Sequence, residues 1–524
     1  MKMVKSLILG SAAALVAVGG AQAADLPVKA KAVEYVKVCS LYGPGFYYIP
    51  GTDTCIKLGG FVRADLVVNG NGVYGPNTNG ASGANNRFTN GYTWRSREDL
   101  NIDTRTATEY GVVRTYFDAV FTWTSDSYAA NGAGGTVYSG LGSGAATVSA
   151  PNNANSGAVA AGTVGVYYAF IQFAGFTIGK SVSQFAAPWT AYPGNNYDAL
   201  VGGINTTNGV NQFTYTAQFG NGVSLALSAQ DQVAYTQAGV NNLGAGGAYG
   251  ASDYAGTITP DFIAALKVDQ AWGIFQASIA AHDNHAAYYG ATEVTGHPDD
   301  KWGWAGALAL SIKNIPTGPG DTINIQGVYT DGATRYNIQD LAGGISSAVI
   351  YGGSNLPGAY GSVGFGTAPD TVFGPGGQQQ SIKTWGFRGA YTHNWDPYWN
   401  TSLYGAYAAV MYNDTAKSLI CGVGGVGGTF RAAFAGGAGV TSCNPDYNIG
   451  QLGLITRWTP VKNLTFSADV TYVHLDQKYA GTITTSAGAI GKPVATYELK
   501  NQDTVQMLFR AQRSEERRVG KECR

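Results

Sequence analysis

The sequence predicts an all-β fold, a transmembrane antiparallel β-barrel of about sixteen strands, and three observations support this prediction. Segments of roughly ten residues alternate apolar with polar side chains, as strands with one lipid face and one water face do. The connectors between these segments are alternately short and long. Tryptophans gather at the ends of the segments, where the headgroups of a membrane would lie.

The segment 464–472 shows the alternation most clearly. Leucine, phenylalanine, alanine, valine and tyrosine occupy its even positions, and threonine, serine and aspartate occupy its odd positions. Because successive side chains of a strand point to opposite faces, one face of this segment is apolar and the other is polar. The same pattern predicts strands at 55–68, 94–105, 109–123, 162–174, 175–182, 210–219, 222–231, 261–269, 272–281, 302–312, 321–330, 382–393, 399–411, 447–458, 463–475 and 502–512.

The connectors fall into two classes, and the classes orient the barrel. Connectors after odd-numbered strands run for roughly 20 to 50 residues, as the outer loops of such barrels do, whereas those after even-numbered strands are brief, as periplasmic turns are. The brief connectors are 106–108, 174–175, 220–221, 270–271, 394–398 and 459–462. Tryptophan positions agree with this orientation, because they form two sets. Trp94, Trp123, Trp302, Trp304 and Trp385 lie at loop-side ends, and Trp272, Trp395, Trp399 and Trp458 at turn-side ends.

The first 23 residues have the features of a secretory signal peptide. Lys2 and Lys5 precede an apolar stretch, and Ala21-Gln22-Ala23 has the small-x-small form of a cleavage site. We expect the mature chain to begin at Ala24, with an N-terminal extension at 24–54 and the barrel at 55–512. No later segment approaches the roughly 18 uninterrupted apolar residues of a membrane helix, so strands must cross the membrane if anything does.

Charge and cysteine content narrow the function further. The formal net charge of -1 argues against a surface that binds nucleic acid. Cys39 with Cys55, and Cys421 with Cys443, can each close a disulfide in an oxidising compartment, and free thiols are the alternative. Residues 513–524 are charged without alternation and look like the translation of a sequencing-adapter oligonucleotide, so we expect this tail to be an assembly artefact.

Both ends of the mature chain resemble alphaproteobacterial outer-membrane porins, of the general diffusion, sixteen-stranded type. The similarity lies in Ala24-Asp25-Leu26-Pro27, in the stretch 38–60 with its two cysteines, and in segments 497–500 and 503–506. The resemblance implies a homotrimer of passive pores for small hydrophilic solutes and ions, in a Gram-negative outer membrane with its lipid and lipopolysaccharide, and without a cofactor. Family members end in an aromatic residue that the barrel assembly machinery reads, whereas this chain has Glu515 there.

The resemblance also implies that the third long loop, residues 182–209, folds into the barrel and narrows it. This loop contains Trp189, Tyr192, Tyr197 and one acid, Asp198, which we expect on the acidic side of the constriction. Strand parity predicts a basic wall opposite it, formed by Lys57, Arg63, Arg95, Arg97 and Arg114. Such an arrangement would set a transverse field that filters ions by charge. The alternative is a solvated lumen wall without a role in the constriction.

Other functions remain open at this stage. A substrate-selective channel and an adhesin or phage receptor are both compatible with long outer loops. An outer-membrane enzyme is disfavoured, because no nucleophile and base or paired carboxylates fall on neighbouring strands, and no catalytic residue is predicted. The sequences 282–285 and 297–300 combine histidine with aspartate in the fifth loop, which suits a metal, although a polar loop carries such residues without one. We therefore predict no metal site.

Overall fold

A computed structural model describes residues 37–69, 91–124, 163–189, 193–198, 200–204, 209–233, 236–244, 251–339, 348–422, 439–484 and 494–514. The chain divides into two compact units, Met1–Lys57 and Leu58–Arg524. No helix in these described ranges is both long and apolar enough to cross a membrane. The predicted signal peptide, Tyr192 and residues 515–524 of the predicted tail lie outside the described residues.

The first unit is held together by a disulfide. Cys39 and Cys55 are bonded with their Cα atoms 6.0 Å apart, and both are buried beside Phe46. Strand β1 (Tyr47–Tyr48) pairs antiparallel with the beginning of β2 (Thr54–Val68), so that Tyr48 lies opposite Cys55. The disulfide therefore fastens this short hairpin to the segment before it, which confirms the first predicted bond.

The second unit is a closed antiparallel barrel of sixteen strands, because β2 pairs with the last strand of the sheet as well as with the next strand in sequence. The other fifteen are β3 (Tyr92–Thr108), β4 (Gly111–Thr124), β5 (Thr163–Phe173), β6 (Phe176–Ser181), β7 (Val210–Gly220), β8 (Val223–Gln230), β11 (Asp261–Gln270), β12 (Gly273–Asn284), β13 (Lys301–Lys313), β14 (Thr322–Asp331), β19 (Lys383–Asn394), β20 (Trp399–Met411), β22 (Tyr447–Val461), β23 (Leu464–Gln477) and β26 (Gln502–Ser514).

All sixteen predicted strands are present, and the differences lie at their ends. The predicted connector 106–108 belongs to β3, and the turn consists of Glu109 and Tyr110. The last strand continues to Ser514, which pairs with Phe61, so the strand extends two residues past its predicted end. Ladder hydrogen bonds with β2 and β23 continue there although the apolar alternation has weakened, and backbone pairing does not depend on side-chain pattern.

Left-handed residues make the tight periplasmic turns. Ala174 and Gly175 have φ angles of 49° and 86°, and Asn221 and Gly222 have φ angles of 49° and 74°. Two successive positive φ angles form the two-residue hairpin turn whose twist matches that of the flanking strands. The second of these turns lies one residue later than predicted, because Asn221-Gly222 suits this turn better than Gly220-Asn221.

The two faces of the barrel follow the predicted parity. In β26, for example, Val505, Met507 and Phe509 are exposed on the outer face, and Thr504, Gln506 and Leu508 are buried on the inner face. All nine tryptophans that were predicted to form two girdles are exposed, Trp302 by 52% and Trp272 by 48%. The outer surface therefore combines an apolar belt with aromatic residues at both of its edges, which fits a membrane-spanning barrel.

The outer loops contain secondary structure of their own. Two small sheets are built from β9 (Val240–Asn242), β10 (Ala251–Ser252), β15 (Ala348–Gly352), β16 (Gly361–Gly366), β17 (Thr371–Phe373), β18 (Gln380–Ser381), β21 (Val440–Ser442), β24 (Ala480–Thr484) and β25 (Thr496–Leu499). Helix α1 (Asp414–Cys421) begins at Asn413, whose side chain accepts a hydrogen bond from the Ala416 N–H. The helix ends at Cys421, which forms the second predicted disulfide with Cys443.

Candidate functional site

The described part of loop 3, residues 182–189, 193–198, 200–204 and 209, lies inside the barrel, because inward side chains on one side of the wall hold its backbone. The buried Arg388 of β19 donates hydrogen bonds to the carbonyl oxygens of Leu200, Gly203 and Ile204 at 3.4, 3.3 and 2.5 Å. A Cβ atom on Gly202 would lie 2.5 Å from the carbonyl carbon of Phe387, and its φ of 89° is left-handed. Only glycine allows the loop to approach the strand this closely.

Further polar side chains along this side of the wall, which we call the anchoring wall, fix the rest of loop 3. Its members besides Arg388 are Gln276, Asn324, Gln451, Arg457 and Asp469. Arg457 donates to the Gly194 carbonyl at 2.5 Å, and Asp469 accepts from the Asn196 N–H at 2.7 Å. The described residues of loop 3 are thus fixed by contacts with five strands.

At the other side of the lumen, four side chains form an ion-pair cluster that we call the arginine node. Asp65 of β2 is fully buried and accepts from Arg95 Nη2 of β3 at 2.7 Å and from Arg510 Nε of β26 at 2.6 Å. Arg95 also donates to Asp198 of loop 3. One arginine therefore joins the acid of the wall to the acid of the loop.

The acid of loop 3 stays ionised in this setting. Burial alone would raise the pKa of Asp198, but the positive charges of Arg95 and Arg97 and a hydrogen bond from Arg95 outweigh it. The pKa of Asp198 therefore lies below its usual value. Its side chain is 40% exposed, so the carboxylate still borders the lumen.

The structure brings together three members of the predicted basic wall. Arg95 lies in the node, and Arg63 and Arg97 lie beside it on the inner faces of β2 and β3. Arg114 lies further toward the periplasmic end, where it pairs with Asp103 at 3.0 Å and donates to Gln172. Lys57 belongs to the first unit, and its ammonium lies 6.0 Å from the ring centre of Phe46.

Several residues of the site were not predicted as site residues, although strand parity places each of them on the inner face of the barrel. Arg510 alternates with Phe509, and Arg388 alternates with Phe387, so both were readable as lumen residues. Sequence alone does not show that Arg510 meets Asp65, because 445 residues separate them. The roles of Arg388 and Arg457 depend on the path of loop 3, which has no signal in strand periodicity.

The histidines that suggested a metal site are arranged differently from the expectation. His282 is not in the fifth loop but in β12, where it is buried and its Nδ1 lies 2.8 Å from Asp261. His285 pairs separately with Asp300 at 2.7 Å. Across the described ranges, no three His, Cys, Asp or Glu side chains are grouped so as to hold a metal ion.

A family model described as a porin subfamily matches residues 25–508. The chain belongs to this porin subfamily. Porin Omp2b of Brucella suis biovar 1 is 36% identical over 286 residues, which are 54% of this chain and 66% of that protein. Porin Omp2b of Brucella canis is 35% identical over the same length. The alignment thus covers slightly less than two thirds of these relatives.

Among solved structures, the outer membrane channel DcaP of Acinetobacter baumannii has a similar fold. The TM-score is 0.54 at 16% identity, and the match covers 89% of this chain and 99% of that chain. Membership in the porin subfamily confirms the family that the chain ends resemble. Together with the barrel fold it indicates an outer-membrane protein. Since porins are channels, membership decides against the barrel-enzyme alternative.

Proposed function

We propose that this porin-subfamily chain forms a passive, water-filled channel for small hydrophilic solutes and ions. The observation that supports the proposal most directly is loop 3, which lies inside a sixteen-stranded barrel and leaves charged side chains at the lumen. A barrel of this size encloses an aqueous channel unless something fills it. Loop 3 narrows such a channel, and the arginine node lies where Asp198 of loop 3 meets Arg95 of the barrel wall.

Conductance in planar bilayers tests this function. The full protein, purified from outer membranes, should give discrete steps whose size grows in proportion to salt concentration and does not saturate with solute. Saturation by one sugar or one anion would indicate a substrate-selective channel. Absence of steps from protein that retains its β-sheet spectrum would contradict the channel and would favour the adhesin or receptor alternative.

We further propose that three copies associate through the part of the barrel formed by β3 to β6. Glu98, the seventh of seventeen residues in β3, shares the outward face with Trp94 and Leu100, which are 44% and 40% exposed. A charged side chain facing lipid at this depth is unfavourable. Nearby, β6 has only six residues, fewer than the roughly 9 to 11 that cross a bilayer. A neighbouring copy that covers this face would relieve both problems.

The mass of the protein in mild detergent tests the association. Light scattering corrected for detergent should give three chains per particle, and a Glu98→Leu variant should keep its fold while its oligomer changes in heat stability. The matched control Glu293→Leu changes an exposed acid in an outer loop. A single chain per particle at all detergent concentrations would contradict the trimer.

A further inference from the structure

We infer that the constriction holds a binding site for small oxyanions, formed by Arg63 and Arg97, and that the channel therefore prefers anions. The inference rests on the proposed channel function and adds the class of solute. It also includes a measurement of binding that does not depend on conductance.

Arg63 and Arg97 stand side by side. In the pairing of β2 with β3, the Asn69 N–H donates to the Gly91 carbonyl oxygen, and this register places Asp65 opposite Arg95 and Arg63 opposite Arg97. Both positions have the inward parity of the node. Two guanidinium groups therefore lie next to each other on the wall that faces Asp198.

The charges of these two arginines are not neutralised by the carboxylates around them. Asp65 and Asp198 bind Arg95 and Arg510, and within the described residues neither Arg63 nor Arg97 forms an ion pair. Arg63 Nε donates to the neutral amide of Gln512 at 2.8 Å, and the buried Nε of Arg97 has no partner. Four guanidiniums thus share two carboxylates at this level, which leaves an excess of positive charge.

The next inward carboxylate along β3 is Asp99. Asp99 is buried and accepts a hydrogen bond from Asn101 at 3.2 Å, two residues closer to the periplasmic end than Arg97. Two further inward arginines, Arg105 of β3 and Arg114 of β4, both bind Asp103 at that lower level. Among the inward arginines of β2 to β4, the two that form no ion pair within the described residues, Arg63 and Arg97, therefore lie beside the arginine node.

Guanidinium pairs suit oxyanions because their planar N–H groups match two oxygens of a phosphate or a carboxylate. Loop 3 narrows the lumen at the same level, so a permeating anion must pass close to the two side chains. Small phosphate and carboxylate solutes share this chemistry. A doubly charged phosphate should bind more tightly than a singly charged acetate, since the attraction grows with charge.

Reversal potentials in a potassium chloride gradient test the preference for anions. We expect chloride to be favoured in the natural protein, and Arg63→Gln and Arg97→Gln each to lower the chloride-to-potassium permeability ratio about threefold, the combined effect on both ions of one unit charge roughly 6 Å away in a water-like medium screened by salt. Lys313→Gln, at the periplasmic end of β13, removes the same charge as a control and should change the ratio far less. Cation preference in the natural protein, or an unchanged ratio in the double variant, would overturn the inference.

Calorimetry with inorganic phosphate, and separately with acetate, tests the site on detergent-solubilised protein. Phosphate binding should give a heat signal that fits one site per chain. This signal should vanish in the variant that combines Arg63→Gln and Arg97→Gln. The Arg63→Lys and Arg97→Lys variants keep the charge but lose the paired N–H geometry, so they should keep the chloride preference and bind phosphate more weakly. Absent phosphate heat in natural protein would overturn the site, whereas absent conductance with phosphate heat present would overturn only the proposed channel.

Discussion

The two sides of the lumen use arginine in different ways. On the anchoring wall, Arg388 and Arg457 are bound to carbonyl oxygens of loop 3, so their charges hold the backbone. At the arginine node, Arg95 and Arg510 are bound to carboxylates, and Arg63 and Arg97 beside them form no ion pair with any residue in the described ranges. Strand parity places all six arginines on the inner face of the barrel. Of these six, Arg63 and Arg97 are the ones that we expect to interact with a passing ion.

The position of loop 3 and the charge of the arginine node should therefore affect permeation in different ways. In the proposed channel, the anchoring wall sets the position of loop 3 and therefore the width of the pore. By the same proposal, the node and its neighbours set which sign of charge the constriction favours. Substitutions in the anchoring wall should alter the conductance for all ions. Substitutions in the arginine node or beside it should alter the ratio of anion to cation permeability.

The largest expected effect follows from removing the main anchor of loop 3. Arg388→Met keeps the bulk of the side chain but leaves three carbonyl groups of the loop without their donor. Hydrogen bonds from a buried charged group contribute about 1.5 to 3 kcal/mol each, so loop 3 should leave its path. We expect a larger single-channel conductance with more current noise, measured in planar bilayers.

Arg335→Met provides the matched control for this prediction. Arg335 also donates to two carbonyl oxygens, those of Gln237 and Gln339, but both lie outside loop 3. The control should leave conductance unchanged although it removes a comparable arginine. Equal conductance in Arg388→Met and the natural protein would show that the other members of the anchoring wall suffice to hold the loop.

A smaller effect is expected from breaking the node without moving loop 3. Asp65→Asn leaves Arg95 and Arg510 without the buried carboxylate that both of them bind. Removing one partner from a buried ion pair typically costs about 3 to 5 kcal/mol, so the thermal midpoint of the protein in detergent should fall. At the same time the loss of a negative charge should increase the preference for chloride over potassium.

Asp269→Asn is the appropriate comparison for that variant. Asp269 lies 3.9 Å from Lys313 in an exposed pair, which contributes about 0 to 1 kcal/mol. The control should change neither the thermal midpoint nor the ion preference appreciably. A thermal midpoint of Asp65→Asn as high as that of the control would mean that water replaces the missing carboxylate.

The strands and their inward-facing residues could be predicted from the sequence. The contacts between side chains of strands that are distant in sequence could not. Period-two alternation acts within a single strand, so it identified β26 and placed Arg510 on its inner face. The pairing of Arg510 with Asp65 depends on barrel closure between the first and last strands, which a local pattern does not encode. His282 shows the reverse case, because its polar neighbours suggested a loop although the barrel strand β12 continues through them.

Loop 3 was the least predictable part of the site. Its sequence has no periodicity. Its position depends on hydrogen bonds with side chains from separate strands, and the sequence of the loop does not reveal these partners. Asp198 could be chosen because it is the acid of that loop, but its partner Arg95 could be chosen only as one of several inward cations. The distinction between a cation that binds the loop acid and cations that remain unpaired is a property of the assembled barrel.

The smallest expected effect concerns pH, and it tests whether Asp198 is held by the node. A carboxyl group whose pKa is lowered in the folded protein stabilises the fold fully above its unfolded pKa of about 3.9, and this contribution is lost as the pH falls through the folded pKa. Between pH 7 and pH 5 the ionisation of Asp198 should therefore not change.

The difference in reversal potential between the natural protein and Asp198→Asn should stay constant over this range, whatever other lumen groups titrate, and should shrink only below about pH 4. A difference that already disappears near pH 5 would mean that Arg95 does not stabilise the charged form and that loop 3 is not bound to the node in the membrane.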